Sequence, residues 1–203
     1  MKVGIIGTGK VGSAIGGALA SKGYEVIYGS RNPQQAKVPQ GTRAATPKEA
    51  ATEADVVIMA VPYSAVKDAI KEAGKDSFKG KTVVDVTNPL GKNMDWAVGF
   101  KTSSAEEMAK EMKGANVVKA FNTVFAEHMA VGSINGEKLG LFIASDSDDA
   151  KKTVREFGEK IGFDVIDAGK LEAARYLEAL GMLNIHLGYK QNMGSKMGFK
   201  VVR

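Results

Sequence analysis

The glycines at positions 7, 9 and 12 constrain this chain more than any other feature. Gly7-Thr8-Gly9-Lys10-Val11-Gly12 has the spacing GxGxxG, which alone means little in a chain with 24 glycines. Its context gives it weight. The motif follows an apolar run, residues 2–6, that reads as a buried strand, and it opens a Gly- and Ala-rich stretch, residues 9–22, that reads as a helix. A second apolar run at 24–28 closes a βαβ unit of about 30 residues, the setting in which such a motif binds a dinucleotide. There Gly7 allows the tight turn, Gly9 lets a pyrophosphate approach the backbone, and Gly12 brings helix against strand. The amides of the helix N-terminus and its macrodipole favour the diphosphate.

The same alternation continues along the chain. Residues 55–61, 81–86, 116–121, 139–144 and 163–167 read as strands, and 47–53, 64–73, 104–112, 148–161 and 171–191 as helices. Thr46 with Pro47 at the first helical position, and Ser103-Ser104-Ala105-Glu106-Glu107, supply two helix starts. Residues 31–38 read as an irregular or helical turn. This rhythm predicts an α/β fold, a Rossmann-type doubly wound, mainly parallel sheet with a small C-terminal helical extension. The soft boundary lies at Gly169-Lys170, dividing a dinucleotide-binding domain (1–169) from a helix and Met-containing tail (170–203). A segment of that size has little core of its own. It is expected to complete an acceptor pocket or to pair with a second copy in a homodimer.

The end of the second strand selects the cofactor. A site for NAD holds the ribose hydroxyls with Asp or Glu about 20 residues past the glycines. Here the chain has Gly29-Ser30-Arg31-Asn32, with no carboxylate to repel a 2′-phosphate, and Glu25 lies too far back. Ser30 offers a hydroxyl, and Arg31 a guanidinium that pairs with phosphate and stacks on adenine. Thr8 and Lys37 are placed to add to the same contact. NADP(H) is therefore expected over NAD. Val61-Pro62-Tyr63 and Asn88-Pro89-Leu90 each follow a strand, at the carboxyl edge where ligands bind in open α/β sheets. Tyr63 reads equally as a lining or a packing residue. The spacing Tyr63…Lys67 imitates a catalytic YxxxK pair, but it comes after an early strand and is set aside.

Acid–base chemistry has few candidates. The two histidines, His128 and His186, carry no metal or nucleophile partner in their motifs and read as structural. With no cysteine, there is no thiolate nucleophile and no disulfide. The strand at 116–121 leads into an apolar loop with two polar groups, Asn122 and Thr123, suited to orienting a carboxamide while a flat acceptor stacks on the nicotinamide. Hydride exchange between stacked rings needs orientation more than a proton donor. The pattern thus favours a small flavin-like redox acceptor, held in an apolar cleft between the sheet edge and the last helix. Lys and Arg exceed Asp and Glu by 28 to 23, but the charges are dispersed, which excludes a basic nucleic-acid stripe. No apolar run reaches the roughly 20 residues of a membrane helix. The first apolar run is too short for a signal peptide and enters the glycine motif directly, so a cytoplasmic enzyme is expected.

These motifs resemble those of the NADP-dependent reductases of coenzyme F420, a deazaflavin, and more distantly the NADPH-binding cytosolic domain of the STEAP metalloreductases. Residues 7–12, Gly29-Ser30-Arg31 and Val61-Pro62-Tyr63 are similar to the family's cofactor motifs. Lys119-Ala120-Phe121-Asn122-Thr123 is similar to the metalloreductase loop near the nicotinamide. Asp167-Ala168-Gly169, the helix after it, and Asn192-Met193-Gly194 with Met197-Gly198-Phe199-Lys200 are similar to the deazaflavin enzyme's last helix and tail. The resemblance implies that Thr8, Gly9, Lys10, Val11, Ser30 and Arg31 hold NADP(H), with Tyr63 and Leu90 alongside, and that Val124 and Ala126 lie near the carboxamide. It implies F420, or FMN or FAD, as hydride partner. The chain departs from the deazaflavin pattern at Phe125, where those enzymes tend to have proline, and in a shorter stretch between Gly29 and Thr46. Two other readings stand beside this one: an NADPH-dependent flavin or ferric reductase, and a non-enzymatic NADP(H)-sensing module.

Overall fold

A computed structural model describes residues 1–202. The chain runs β1 (Lys2–Ile6), α1 (Lys10–Ser21), β2 (Glu25–Gly29), β3 (Arg43–Ala45), α2 (Pro47–Glu53), β4 (Val56–Met59), α3 (Val66–Ala73), β5 (Thr82–Asp85), α4 (Ser104–Glu111) and β6 (Asn116–Lys119). Next come a small hairpin, β7 (Ser133–Ile134) and β8 (Glu137–Lys138), then β9 (Gly140–Ile143), α5 (Asp148–Ile161), β10 (Asp164–Asp167) and α6 (Ala174–Ile185).

The six principal strands are parallel in the order β3-β2-β1-β4-β5-β6. The order reverses between β1 and β4, so the α1 N-terminus opens at the switch point, where doubly wound sheets bind ligands. β9 and β10 pair in parallel with each other, and β9 meets β6 through an antiparallel bridge between Lys119 and Ala144. Two apolar layers explain why the strands read as unbroken apolar runs. Ile5, Tyr28 and Val118 face α1 and α5 on one side, while Ile6, Val57 and Val83 face α2, α3 and α4 on the other. Strands buried on both faces show no alternation.

The predicted helix starts hold: Thr46 and Glu49 form a reciprocal capping box with Pro47 in the first turn, and Ser103 caps α4 through the Glu106 amide. Two features escaped the sequence. β3 is a three-residue edge strand, Arg-Ala-Ala, too short and too poor in β-branched residues to show a pattern. The last helix is not continuous over 171–191; a 3-10 turn (Leu171–Ala173) precedes α6 and a π segment (His186–Lys190) extends it. At the π segment the Phe125 ring packs so closely that a Cβ on Gly188 would lie 2.6 Å from its Cζ. The tail then runs beside the start of β9, where Gly140 N–H donates to Phe199 O at 2.8 Å. No helix among the described residues is long and apolar enough to cross a membrane.

Candidate cofactor site

The three motif glycines answer to three different demands. Gly7 has φ +116°, and a Cβ there would lie 2.3 Å from the Ala60 carbonyl oxygen. A Cβ on Gly12 would lie 2.5 Å from Gly7 O and 3.2 Å from Ile5 Cγ2, so this glycine seats helix on strand. Gly9 is different. Its backbone is ordinary extended chain, and no heavy atom lies within 4 Å of where its Cβ would be. The protein's own packing does not require glycine at position 9; what the glycine preserves is open space in front of α1. That helix begins without a side-chain cap and without an acidic residue in its first turn. α2, α4 and α5, by contrast, are capped by Thr46, Ser103 and Ser147. The free amides and the positive end of the α1 dipole are thus left available to an anion.

That space is part of a cleft of about 460 Å³. Gly7, Thr8, Gly9, Ser30, Arg31, Asn32, Val61 and Pro62 all line it, so the glycine turn, the end of β2 and the end of β4 converge as the sequence predicted. Ser30 N–H donates to Ala45 O at 2.9 Å, and Ser30 Oγ accepts from Asn32 N–H at 3.2 Å. This turn fixes the backbone around an exposed Arg31 that makes no ion pair among the described residues. No carboxylate follows it at the end of β2, although Asp68 and Glu72 line the far wall of the same cleft. Glu25 is at the far end of β2, roughly 13 Å from Gly29 at strand rise, and lies 3.7 Å from Lys2. Lys10 and Val11 open α1 above the cleft, and Lys37 lies on the next turn, outside its lining.

Tyr63 takes a different path. Its hydroxyl donates to Glu107 Oε2 at 2.9 Å, in a smaller cavity between α3 and α4. Burial and the Glu107 carboxylate push its pKa up to about 12. The side chain serves the α3–α4 contact and does not line the cleft of Val61 and Pro62, and among the described residues no hydrogen bond joins it to Lys67. Neither histidine reaches the cleft. His128 is hydrogen-bonded to the tail carbonyl of Ser195 at 2.8 Å, and His186 to the Gln191 side chain at 3.2 Å.

On the other side of α1 the predicted loops are closed over by α6. Asn88 Nδ2 donates to Asn122 O at 2.8 Å, and Asn122 Nδ2 donates back to Asn88 Oδ1 at 3.0 Å and to Leu177 O at 2.8 Å. Asn184 Nδ2 donates to Thr123 O at 3.1 Å. Asn122, Thr123 and Val124 are buried, and Ala126 is partly exposed in the turn after them. Pro89 O accepts from Ala97 N–H, and Leu90 bridges to Trp96. A Cβ on Gly181 would lie 2.3 Å from Asn88 Oδ1. The seam between α6 and these loops therefore has no room there for a methyl group, let alone a ring. The expected acceptor cleft is closed at Gly181. Two features mark the loop. Asn122 Oδ1 is buried with no partner, and Phe121, fully buried, holds φ +64°. A left-handed Phe costs about 1–2 kcal/mol, and such strain gathers at functional loops.

Beneath these loops lies a polar cluster that sequence reasoning missed. Lys119 Nζ, at the end of β6, contacts Asp85 Oδ2 at 2.9 Å, Glu178 Oε1 at 2.8 Å, Ser104 Oγ at 2.9 Å and Thr87 O at 2.6 Å. Glu178, on α6, also accepts from the backbone N–H of Ser104 at 3.1 Å, at the start of α4. The signal was present as a lysine in an apolar strand and a glutamate in an apolar helix, since buried charges require partners.

The geometry describes a dinucleotide-type cleft, and similarity to known proteins agrees. Residues 2–89 match the family model described as NADP oxidoreductase coenzyme F420-dependent. The chain is 34% identical to the F420-dependent NADP reductase of Methanothermobacter marburgensis, covering 95% of each. It is 33% identical to metalloreductase STEAP3 of Rattus norvegicus over 88% of this chain, although it spans only 36% of that protein. The crystal structure of a putative F420-dependent NADP-reductase from Arthrobacter sp. FB24 superimposes with a TM-score of 0.91 at 30% identity, covering all of both chains. By this likeness over its whole length, the chain belongs to the F420-dependent NADP reductase family and is an NADP-dependent oxidoreductase.

Proposed function

We propose that this enzyme transfers a hydride between NADP(H) and coenzyme F420, or an ordinary flavin, stacked on the nicotinamide. One observation carries the cofactor half: the open space over Gly9, at the uncapped start of α1, and Arg31, which makes no ion pair among the described residues, line the same cleft. The amides of Thr8 to Gly12 would take the diphosphate, and Ser30 and Arg31 the 2′-phosphate. Bound NADP(H) supplies or receives the hydride at its nicotinamide ring. The chain's task is to orient that ring. Asn88, Pro89, Leu90, Asn122, Thr123, Val124 and Ala126 would form its surroundings, and Asn122 Oδ1, buried without a hydrogen-bond partner, would accept from a carboxamide N–H once the loop moves aside.

Residues 170–203 act in this reading as the part that locks those loops. The exposed side chains Tyr176, Leu183, Tyr189 and Met193 in this segment suit a second copy of the chain and hence a homodimer. A second reading, an NADPH-dependent flavin or ferric reductase, is favoured by the likeness to a metalloreductase. Family membership sets aside a purely sensory role.

The test is oxidation of NADPH and NADH in parallel with F420, FMN, FAD and a ferric chelate. Turnover of F420 with NADPH is the expected result. Turnover confined to flavins or ferric chelates moves the assignment to the second reading, and a preference for NADH overturns the cofactor half.

A further inference from the structure

The cofactor cleft contains two charges that take no part in holding the phosphates. α3 and the turn before it present Ala65, Asp68, Ala69 and Glu72 to the cleft, the i, i+3, i+4 and i+7 positions of one helical face. Asp68 and Glu72 are exposed, and neither has a hydrogen-bond or ion-pair partner among the described residues. Arg31, in the same cleft, is also unpaired.

Two free carboxylates in a cleft built for phosphates are unfavourable unless they face a part of the ligand that is not anionic. The position of that part is set by the rest of the site. With its diphosphate on the start of α1, its 2′-phosphate at Ser30 and Arg31 and its nicotinamide directed to the loops after β5 and β6, a dinucleotide has its adenine to fill the remaining space beside Arg31. Pro62, Ala65 and Ala69 form a wall of small apolar groups suited to the flat face of a base. The edge of that base then meets the two carboxylates. Adenine carries a strong donor on its edge, the exocyclic N6 amino group, and carboxylates are pure acceptors.

We propose that Asp68 and Glu72 make the site selective for adenine, by accepting hydrogen bonds from the N6 amino group and repelling bases that present a carbonyl oxygen there. The proposal rests on the cleft being the NADP(H) site. Selectivity of this kind combines an attraction to the correct group with a repulsion of the wrong one.

The experiment compares binding of NADP⁺ with that of its hypoxanthine analogue, in which N6 is replaced by a carbonyl oxygen. The two ligands share every phosphate, so general charge effects cancel in the ratio of their affinities. The wild type is expected to bind NADP⁺ about tenfold more tightly than the analogue, the scale of a hydrogen bond to a charged group. In Asp68→Asn/Glu72→Gln, whose side chains both donate and accept, the ratio falls towards one while NADP⁺ still binds. Because both positions are exposed, the melting temperature is expected to stay unchanged. A wild-type ratio near one, or a ratio that the double variant leaves intact, overturns the proposal while sparing the cofactor assignment. Failure of the wild type to bind NADP⁺ overturns both.

Discussion

Lys119 Nζ lies 2.8 Å from Glu178 Oε1, and neither side chain has any exposed surface. This contact ties the end of β6 to α6, and through Ser104 and Asp85 it reaches α4 and β5 as well. The loops that leave β5 and β6 carry Asn88 and Asn122. The position of α6 over those two residues is therefore set from below by charge and from above by the amide pairs.

Replacing Lys119 by methionine leaves Asp85 and Glu178 buried without their cation. Breaking a buried pair on one side costs about 3–5 kcal/mol, so Lys119→Met should shift the urea midpoint far more than a change at exposed Lys160. Glu178→Gln is expected to cost less, because its amide still accepts from the α4 backbone. Equal midpoints for Lys119→Met and the wild type would show that the cluster contributes nothing to stability.

Gly9 separates binding from folding. A Cβ there would meet no heavy atom within 4 Å, and the backbone conformation is an ordinary extended one. Gly9→Val is expected to keep the wild-type melting temperature and to lose NADPH binding by at least about a hundredfold, since a branched side chain occupies the diphosphate's approach. Gly12→Val, forced against Gly7 O and Ile5, should lose stability as well. A Gly9→Val protein that binds NADPH normally would place the diphosphate elsewhere.

Arg31 should decide between phosphate and hydroxyl. A charge-assisted contact contributes about 1.5–3 kcal/mol, so Arg31→Ala is expected to weaken NADPH by about ten- to a hundredfold and to leave NADH nearly unchanged. Fluorescence titration with both cofactors reads the ratio. A parallel loss for the two would mean that Arg31 serves the base or the diphosphate.

The cleft that joins the glycine turn to the end of β2 was legible because local sequence builds it. Gly7, Gly9 and Gly12 sit within one turn, and Ser30 and Arg31 end the next strand, so spacing alone brings them together. The rest of the site depends on contacts distant in sequence. Asn122 was recognised as a loop amide, but its pairing with Asn88 and the closure by Gly181 join three separate segments, and no periodicity encodes that. Lys119 and Glu178 escaped for a related reason: each is a single polar residue in an apolar element, and only the folded chain shows that they meet. β3 was too short to leave any signal.

Gly181 offers the sharpest test of how the two halves cooperate. A Cβ there would lie 2.3 Å from Asn88 Oδ1 and 2.8 Å from Asn122 Nδ2, so alanine must push α6 away from both loops. Overpacking of this kind costs about 1–3 kcal/mol, too little to unfold a typical domain of this size. The cleft at Ser30 and Arg31 is untouched, so Gly181→Ala should bind NADP(H) with near wild-type affinity. In the proposed function the displaced loops orient the nicotinamide, and misplacement by about an ångström can lower a rate about a hundredfold. Turnover is therefore expected to fall at least tenfold at saturating NADPH, whichever acceptor is used. Unchanged turnover would mean that α6 does not govern the reacting end of the site, and loss of NADP(H) binding in step with the rate would mean that the two halves fold as one.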